Sequence, residues 1–204
     1  MSLNNYSRKS VEAKELLSDL VSISGLSSVG KRLLIRTLRY KYAPEHPLIR
    51  YFGAGDLVAH YFRIRSQPKK FQTGDSDQAF EQECWYRGNS DLEAIGRLNH
   101  NWIAGQMAHV FAPRGFHVKL IRPVEKRVEE MLLQGRDITA AQLEREDADL
   151  AARFEERFPG CSWVDEDFDL VLDMGMPINT VVEAIVLKHY EWQVSNAWKT
   201  SFYA

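Results

Sequence analysis

The sequence predicts a three-layer α/β fold: a parallel five-stranded sheet with helices on both faces and a helical lid. Three observations predict it. A strand-like segment, Leu20 to Ser24, runs into Gly25-Leu26-Ser27-Ser28-Val29-Gly30-Lys31 and then into a stretch whose Leu33, Leu34, Ile35 and Leu38 form one broad helical face. Short apolar runs alternate with longer amphipathic stretches along the chain, the pattern of parallel strands covered by crossover helices. The 204 residues, 45% of them hydrophobic, suffice for the core of one such domain.

Taken in order, Ser10 to Asp19 reads as a short helix before the first strand, with Val11, Ala13, Leu16 and Leu17 as its apolar contacts. After the glycine loop, Leu48 to Phe52 reads as a second strand, which Gly53-Ala54-Gly55-Asp56 turns into a helix through Arg63. Ser66 to Gly74, polar and carrying Pro68, reads as a loop, and Asp75 to Arg87 as a helix capped by Asp75 or Ser76. Leu92 to Gly96 reads as a third strand ending at Gly96-Arg97, and Asn101 to Phe111 as a helix.

His117 to Arg122 follows as a strand, with Pro123 opening a helix that turns Val124, Val128, Met131 and Leu132 inward and ends at Gly135. Thr139 to Phe158 is a highly charged helix with Leu143, Leu150 and Phe154 as its inward positions. Phe168 to Leu172 is the last strand, and Ile178, Val181, Val182, Ile185 and Val186 recur on a closing helix. A single domain over 1–204 is expected, with a core of about 20–135 and 165–190, a lid of about 136–160, and the extra helix 10–19 in front.

A formal net charge of −2 gives no global reason for nucleic acid or a membrane as partner, so any polyanion site must be local. No apolar run approaches the roughly 20 residues of a membrane span, and Met1 to Ser10 lacks the apolar region of a signal peptide, so a cytoplasmic protein is expected. Cys84 and Cys161 read as reduced thiols, and the six histidines are scattered without metal-ligand spacing.

The chemistry concentrates in the glycine loop. Gly25 and Gly30 permit backbone conformations that turn successive N–H groups toward one point, and the helix beginning near Lys31 adds the positive end of its dipole. Gly-x-x-x-x-Gly-Lys therefore reads as a phosphate cradle built from Gly25, Ser27, Ser28, Val29, Gly30 and Lys31, with Lys31 reaching the β- and γ-phosphates of a nucleotide. The motif usually ends in a Ser or Thr whose hydroxyl ligates Mg²⁺; Arg32 stands there instead. Ligands of such sheets gather at the C-terminal strand ends, where Gly25 to Lys31, Gly55-Asp56, Gly96-Arg97 and Arg122 are expected to converge.

Further motifs fall in a consistent order. Leu-Ile-Arg-Pro-Val-Glu-Lys-Arg at 120–127 is similar to the strand and Pro-x-Glu-x-Arg of the cytidylate kinase family, Leu143 to Asp147 to its lid helix, and Phe168 to Asp173 to its Tyr-Asp-Leu-Val-Ile-Asn-Thr strand. Over roughly Leu20 to Val186 the chain resembles a divergent member of that family, including its short archaeal-type and cytidylate-kinase-like proteins. The resemblance implies a three-layer P-loop NTPase fold and transfer of the ATP γ-phosphate to CMP or another small phosphate acceptor. It further implies ATP on Gly25 to Arg32, with Mg²⁺ held otherwise than by residue 32. Gly55-Asp56 and Gly96-Arg97 match the acceptor site, and Lys31, Arg97 and Arg145 match the catalytic cations, Arg145 closing from the lid.

Several family positions differ: Ala59 replaces an acceptor arginine, and Glu130 and Leu150 stand where basic residues are common. Arg63 or His60 is a candidate substitute on the acceptor side, Arg153 in the lid, and Ser27 or Ser28 at the metal, while the Arg32 guanidinium is itself a phosphate ligand. Arg127 reads equally as a ligand contact and as a solvated charge. Phe80, Trp85, Tyr86, Trp102 and Phe111 read as core before base-stacking. Two alternatives stand beside the kinase: a nucleotide-binding regulatory module that meets a protein partner through its lid or through Tyr190 to Trp198, and a kinase for a non-nucleotide metabolite.

Overall fold

A computed structural model describes residues 20–42, 49–54, 57, 90–91, 94–95, 100–112, 114–160 and 163–201, by backbone alone at 42, 157 and 197–201. The expected helices at 10–19 and 75–87 lie outside these residues, as do the loop at 66–74 and most of the helix expected through Arg63.

Five strands form one parallel sheet: β1 (Val21–Gly25), β2 (Arg50–Gly53), β3 (Asn101–Gly105), β4 (Phe116–Ile121) and β5 (Leu170–Asp173), in the spatial order β2-β3-β1-β4-β5. Four α-helices accompany them among the described residues: α1 (Lys31–Tyr42), α2 (Val124–Leu133), α3 (Ala140–Arg157) and α4 (Ile178–Ser201). The strands alternate their side chains between two faces. Val21 and Ile23 of β1, Trp102 and Ala104 of β3, Phe116, Val118 and Leu120 of β4, and Leu172 of β5 pack against Leu34, Ile35 and Leu38 of α1 and Val181, Val182 and Ile185 of α4. The opposite face sets Leu20 and Ile103 against a 3₁₀ turn, Ala108–Phe111, and against Leu150 and Phe154 of α3. Helices thus cover both faces, and the fold is the three-layer α/β P-loop arrangement.

Two elements differ from the sequence expectation. Asn101 to Phe111, read as a helix, is β3 followed by the 3₁₀ turn. β3 lies between β2 and β1 with every residue buried, so its side chains show no polar alternation and its small residues mimic a helical face. The segment read as a strand at 92–96 is helical at Ala94 and Ile95, and Asn101 donates from its side-chain amide to the Ile95 carbonyl at 2.7 Å.

The second half follows the expected order more closely. Pro123 caps α2, whose Val124, Val128 and Met131 meet Ile138 and Leu143; Leu132, expected inside, is 50% exposed, because α2 buries only a narrow stripe against α3. Thr139 and Gln142 form a capping box at the start of α3, fixing where that charged helix begins. Trp102 and Phe111 are core side chains, and Trp192 packs on Phe116 and His189, folding α4 back onto the sheet.

Candidate phosphate-binding site

β1 lies centrally, flanked by β3 on one side and β4 on the other, so the connections diverge from it and open a crevice at its C-terminal end. Gly25 to Gly30 occupies that crevice. The Gly25 N–H donates to the Gln106 carbonyl at 3.2 Å, and the Leu34 N–H to the Gly30 carbonyl at 3.1 Å, which ties the loop to the end of β3 and to the first turn of α1. Val29 is buried in the core and anchors the middle of the loop. A Cβ on Gly25 would stand 2.7 Å from Val29 Cγ1, and Gly30 has φ of +110°, which L side chains rarely adopt. Ser28, at φ of 56°, also takes the left-handed conformation.

Lys31 opens α1 and turns its ammonium back over the loop, donating to the Gly25 carbonyl and, at 2.6 Å, to the Leu26 carbonyl. Burial pushes its pKa down to about 7, with Arg127 adding to the effect and Asp147 opposing it. A lysine so placed gains most from an anion, whose charge restores the protonated form.

Arg127, read from sequence with two alternatives, is not the solvated charge of one of them. It is 4% exposed, its Nε donates to the Ser27 carbonyl at 2.7 Å, and its two terminal nitrogens grip the Asp147 carboxylate at 2.7 and 2.9 Å. One guanidinium therefore joins the loop to α3. Gln106 adds a hydrogen bond from its amide to Ser27 Oγ at 3.1 Å. Met174, just past β5, closes on Gly30: a Cβ there would come 2.8 Å from Met174 Cε. Gln106 and Met174 carry no spacing signal that marks them in the sequence, and Asp147 enters it only as the last residue of the lid-helix match at 143–147.

Other expected positions distribute as follows. Arg32 is exposed in the first turn of α1. Arg145 is exposed and lines a surface pocket of about 330 Å³ with Arg136, Asp137, Ile138, Gln142 and Glu146. It stands two residues before Asp147 and so about 200° away around the helix axis. Leu150 is buried beside Phe154, so this family-basic position serves the core here, while Arg153 is exposed. Arg122 is largely buried at the end of β4, with Glu130 3.9 Å from its guanidinium. Gly55, Asp56, Ala59, His60, Arg63, Phe80, Cys84, Trp85, Tyr86, Gly96, Arg97 and Cys161 lie outside the described residues.

Beneath the loop the sheet carries a polar cluster. Ser24 Oγ lies 3.0 Å from His109 Nδ1 and Ser22 Oγ 2.7 Å from His117 Nδ1. Lys119, buried in β4, bonds to the Trp163 carbonyl and pairs with Asp165 at 2.8 Å, its ammonium over the Trp163 and Phe168 rings. These contacts hold the segment between α3 and β5 against the sheet.

No protein-family model matches this chain, and no curated protein matches it. Among solved structures, shikimate kinase from Acinetobacter baumannii aligns over 91% of this chain and 97% of its own, with TM-score 0.53 and 14% identity. A gluconokinase from Sinorhizobium meliloti 1021 aligns over 92% and 98%, with TM-score 0.51 and 12% identity. The tunicamycin resistance protein of Deinococcus radiodurans aligns over 84% and 95%, with TM-score 0.50 and 19% identity. The likeness at these identities is one of fold: the chain has the P-loop kinase-like architecture.

Proposed function

We propose that this protein is an ATP-dependent phosphotransferase that holds the β- and γ-phosphates on Gly25 to Arg32 and delivers the γ-phosphate to a small acceptor, with CMP the first candidate. The observation that carries the reading is the loop itself: Gly30 at φ of +110° and the inward Lys31 ammonium, both at the C-terminal end of the central strand. In this reading the loop amides and Lys31 bind and orient the phosphates, since phosphoryl transfer draws its catalysis from positioning and charge neutralisation. Gly55, Asp56, Gly96 and Arg97 hold the acceptor, α3 is the helix of a lid at about 136–160, and Arg145 and Arg153 are its mobile cations.

The donor set fits phosphate and does not fit Mg²⁺ in the usual way. Position 32 offers a guanidinium in place of a hydroxyl, and Asp147 is engaged by Arg127. Among the described residues, the groups proposed to neutralise charge are Lys31 and the Arg32 guanidinium. CMP comes from the family resemblance of Leu120 to Asp173. A second reading, a non-nucleotide acceptor, is favoured by the shikimate kinase and gluconokinase names among the structural neighbours.

Calorimetry of ATP with and without Mg²⁺, on the wild type and Lys31→Ala, followed by ADP release with CMP, other monophosphates, shikimate and gluconate, tests both. Binding lost in Lys31→Ala together with CMP-stimulated ADP release supports the first reading. Release with a sugar acid or shikimate alone supports the second. Binding without turnover points to a regulatory module, and absence of ATP binding overturns the proposal.

A further inference from the structure

The Arg127 geometry asks for more than a structural ion pair. Its guanidinium is nearly inaccessible, yet its three hydrogen bonds divide between two elements far apart in sequence: Ser27 in the loop, 100 positions away, and Asp147 on α3, 20 positions away. A planar fork of N–H groups fixes the direction of every bond it makes, so movement of one acceptor is transmitted to the other. Asp147 lies on the same face of α3 as Leu143 and Leu150, the face turned toward the body of the protein. The Lys31 ammonium, which also contacts the loop backbone, feels both charges.

We propose that Arg127 and Asp147 form a latch through which the phosphate loop and α3 sense one another, with Asp147 a positioning residue that acts on the loop through Arg127. The proposal rests on the donor-site reading above, because it takes the loop's ligand to be a polyphosphate. A phosphate drawing on the Ser27 end of the loop changes the acceptor that Arg127 Nε sees. The fork must then turn, and the Asp147 carboxylate turns α3 with it. In the other direction, motion of α3 withdraws or returns the Asp147 charge that balances Arg127 beside Lys31. A mere structural pair would stabilise both elements without linking their responses.

The experiment is hydrogen exchange by mass spectrometry on the full chain, with and without ATP and with no acceptor present, for the wild type, Asp147→Asn and Arg127→Lys. The expected result is a several-fold change in exchange over residues 142–151 when ATP binds the wild type. Asp147→Asn loses that response while retaining the response in α1, and Arg127→Lys, which keeps the charge without the fork, weakens it. An α3 response of equal size in all three proteins overturns the latch.

Should ATP not bind the wild type, the donor-site reading fails on that result, and the latch is judged without ligand by NMR titration of the Lys31 side chain. The latch then requires the Lys31 midpoint to move to lower pH in Asp147→Asn, because the charge that opposes its depression is gone; an unchanged midpoint overturns it. If Asp147→Asn fails to fold, Arg127→Lys carries the exchange comparison and Asp147→Ser, which also removes the charge, carries the Lys31 titration.

Discussion

Lys31 supplies the sharpest link between this site and the stability of the fold. Lys31→Met keeps the apolar stem and removes the ammonium. With its pKa lowered from 10.5 to about 7 by burial, the native protein releases this proton near neutrality, while the unfolded chain keeps it until well above pH 9. Between those values the unfolded state binds more protons, so the Lys31 contribution makes the wild type more stable as pH rises, and the penalty is fully present below about pH 7.

At 1.36 kcal/mol per pH unit, the wild type should gain about 3 kcal/mol relative to Lys31→Met between pH 7 and pH 9.5. The Gly25 and Leu26 carbonyls lose their donor at every pH and add an offset of about 1 kcal/mol each that does not vary across the interval. Urea unfolding of both proteins at several pH values measures the difference directly, and every group other than residue 31 cancels in it. A wild-type-minus-variant difference that stays flat from pH 7 to 9.5 would refute the reasoning, since Lys31 would then be charged throughout. The same depression predicts that ATP binding near pH 7 takes up about half a proton, read by calorimetry in buffers of different ionisation enthalpy.

Gly30→Ala should destabilise the protein by about 1–3 kcal/mol through its backbone conformation. Most of that should persist in a Met174→Ala background, because the clashing atom is the end of a flexible side chain; thermal unfolding of the two singles and the double checks it. His117, partly buried beside Ser22, has its pKa lowered chiefly by desolvation, against the pull of Asp169 and Asp167. The unfolded chain therefore takes up a proton below about pH 6.5 that the native state resists, and stability falls as pH drops. His117→Gln should flatten the slope of unfolding free energy between pH 6.5 and 5, and an unchanged slope would assign that loss to other groups.

The elements legible in the sequence share a feature: their determinants are local. The strand, glycine loop and helix at 20–38 announce themselves because the loop's backbone demands fall on Gly25 and Gly30 and the burial of α1 on a helical stripe. Pro123, Gly135 and Thr139 likewise mark the ends of α2 and the start of α3 by their own chemistry. Asn101 to Gly105 and Ala94-Ile95 resisted reading because a strand buried on both faces and a short helix present similar apolar runs. Pairing with β2 and β1 decides between them at β3, and that is not encoded in a window of ten residues.

Sequence by itself determined the layered parallel sheet, the position of the glycine loop after its first strand and the lysine that follows the loop. Tertiary structure decided what surrounds that lysine. It decided that Arg127 is a buried bridge and not a solvated charge, that Asp147 is its partner, and that Met174 closes on Gly30. The physical reason is range. Helical stripes and glycine conformations are set within a few residues along the chain, whereas an ion pair or a hydrophobic contact is set by which faces the sheet topology brings within a few ångströms across it.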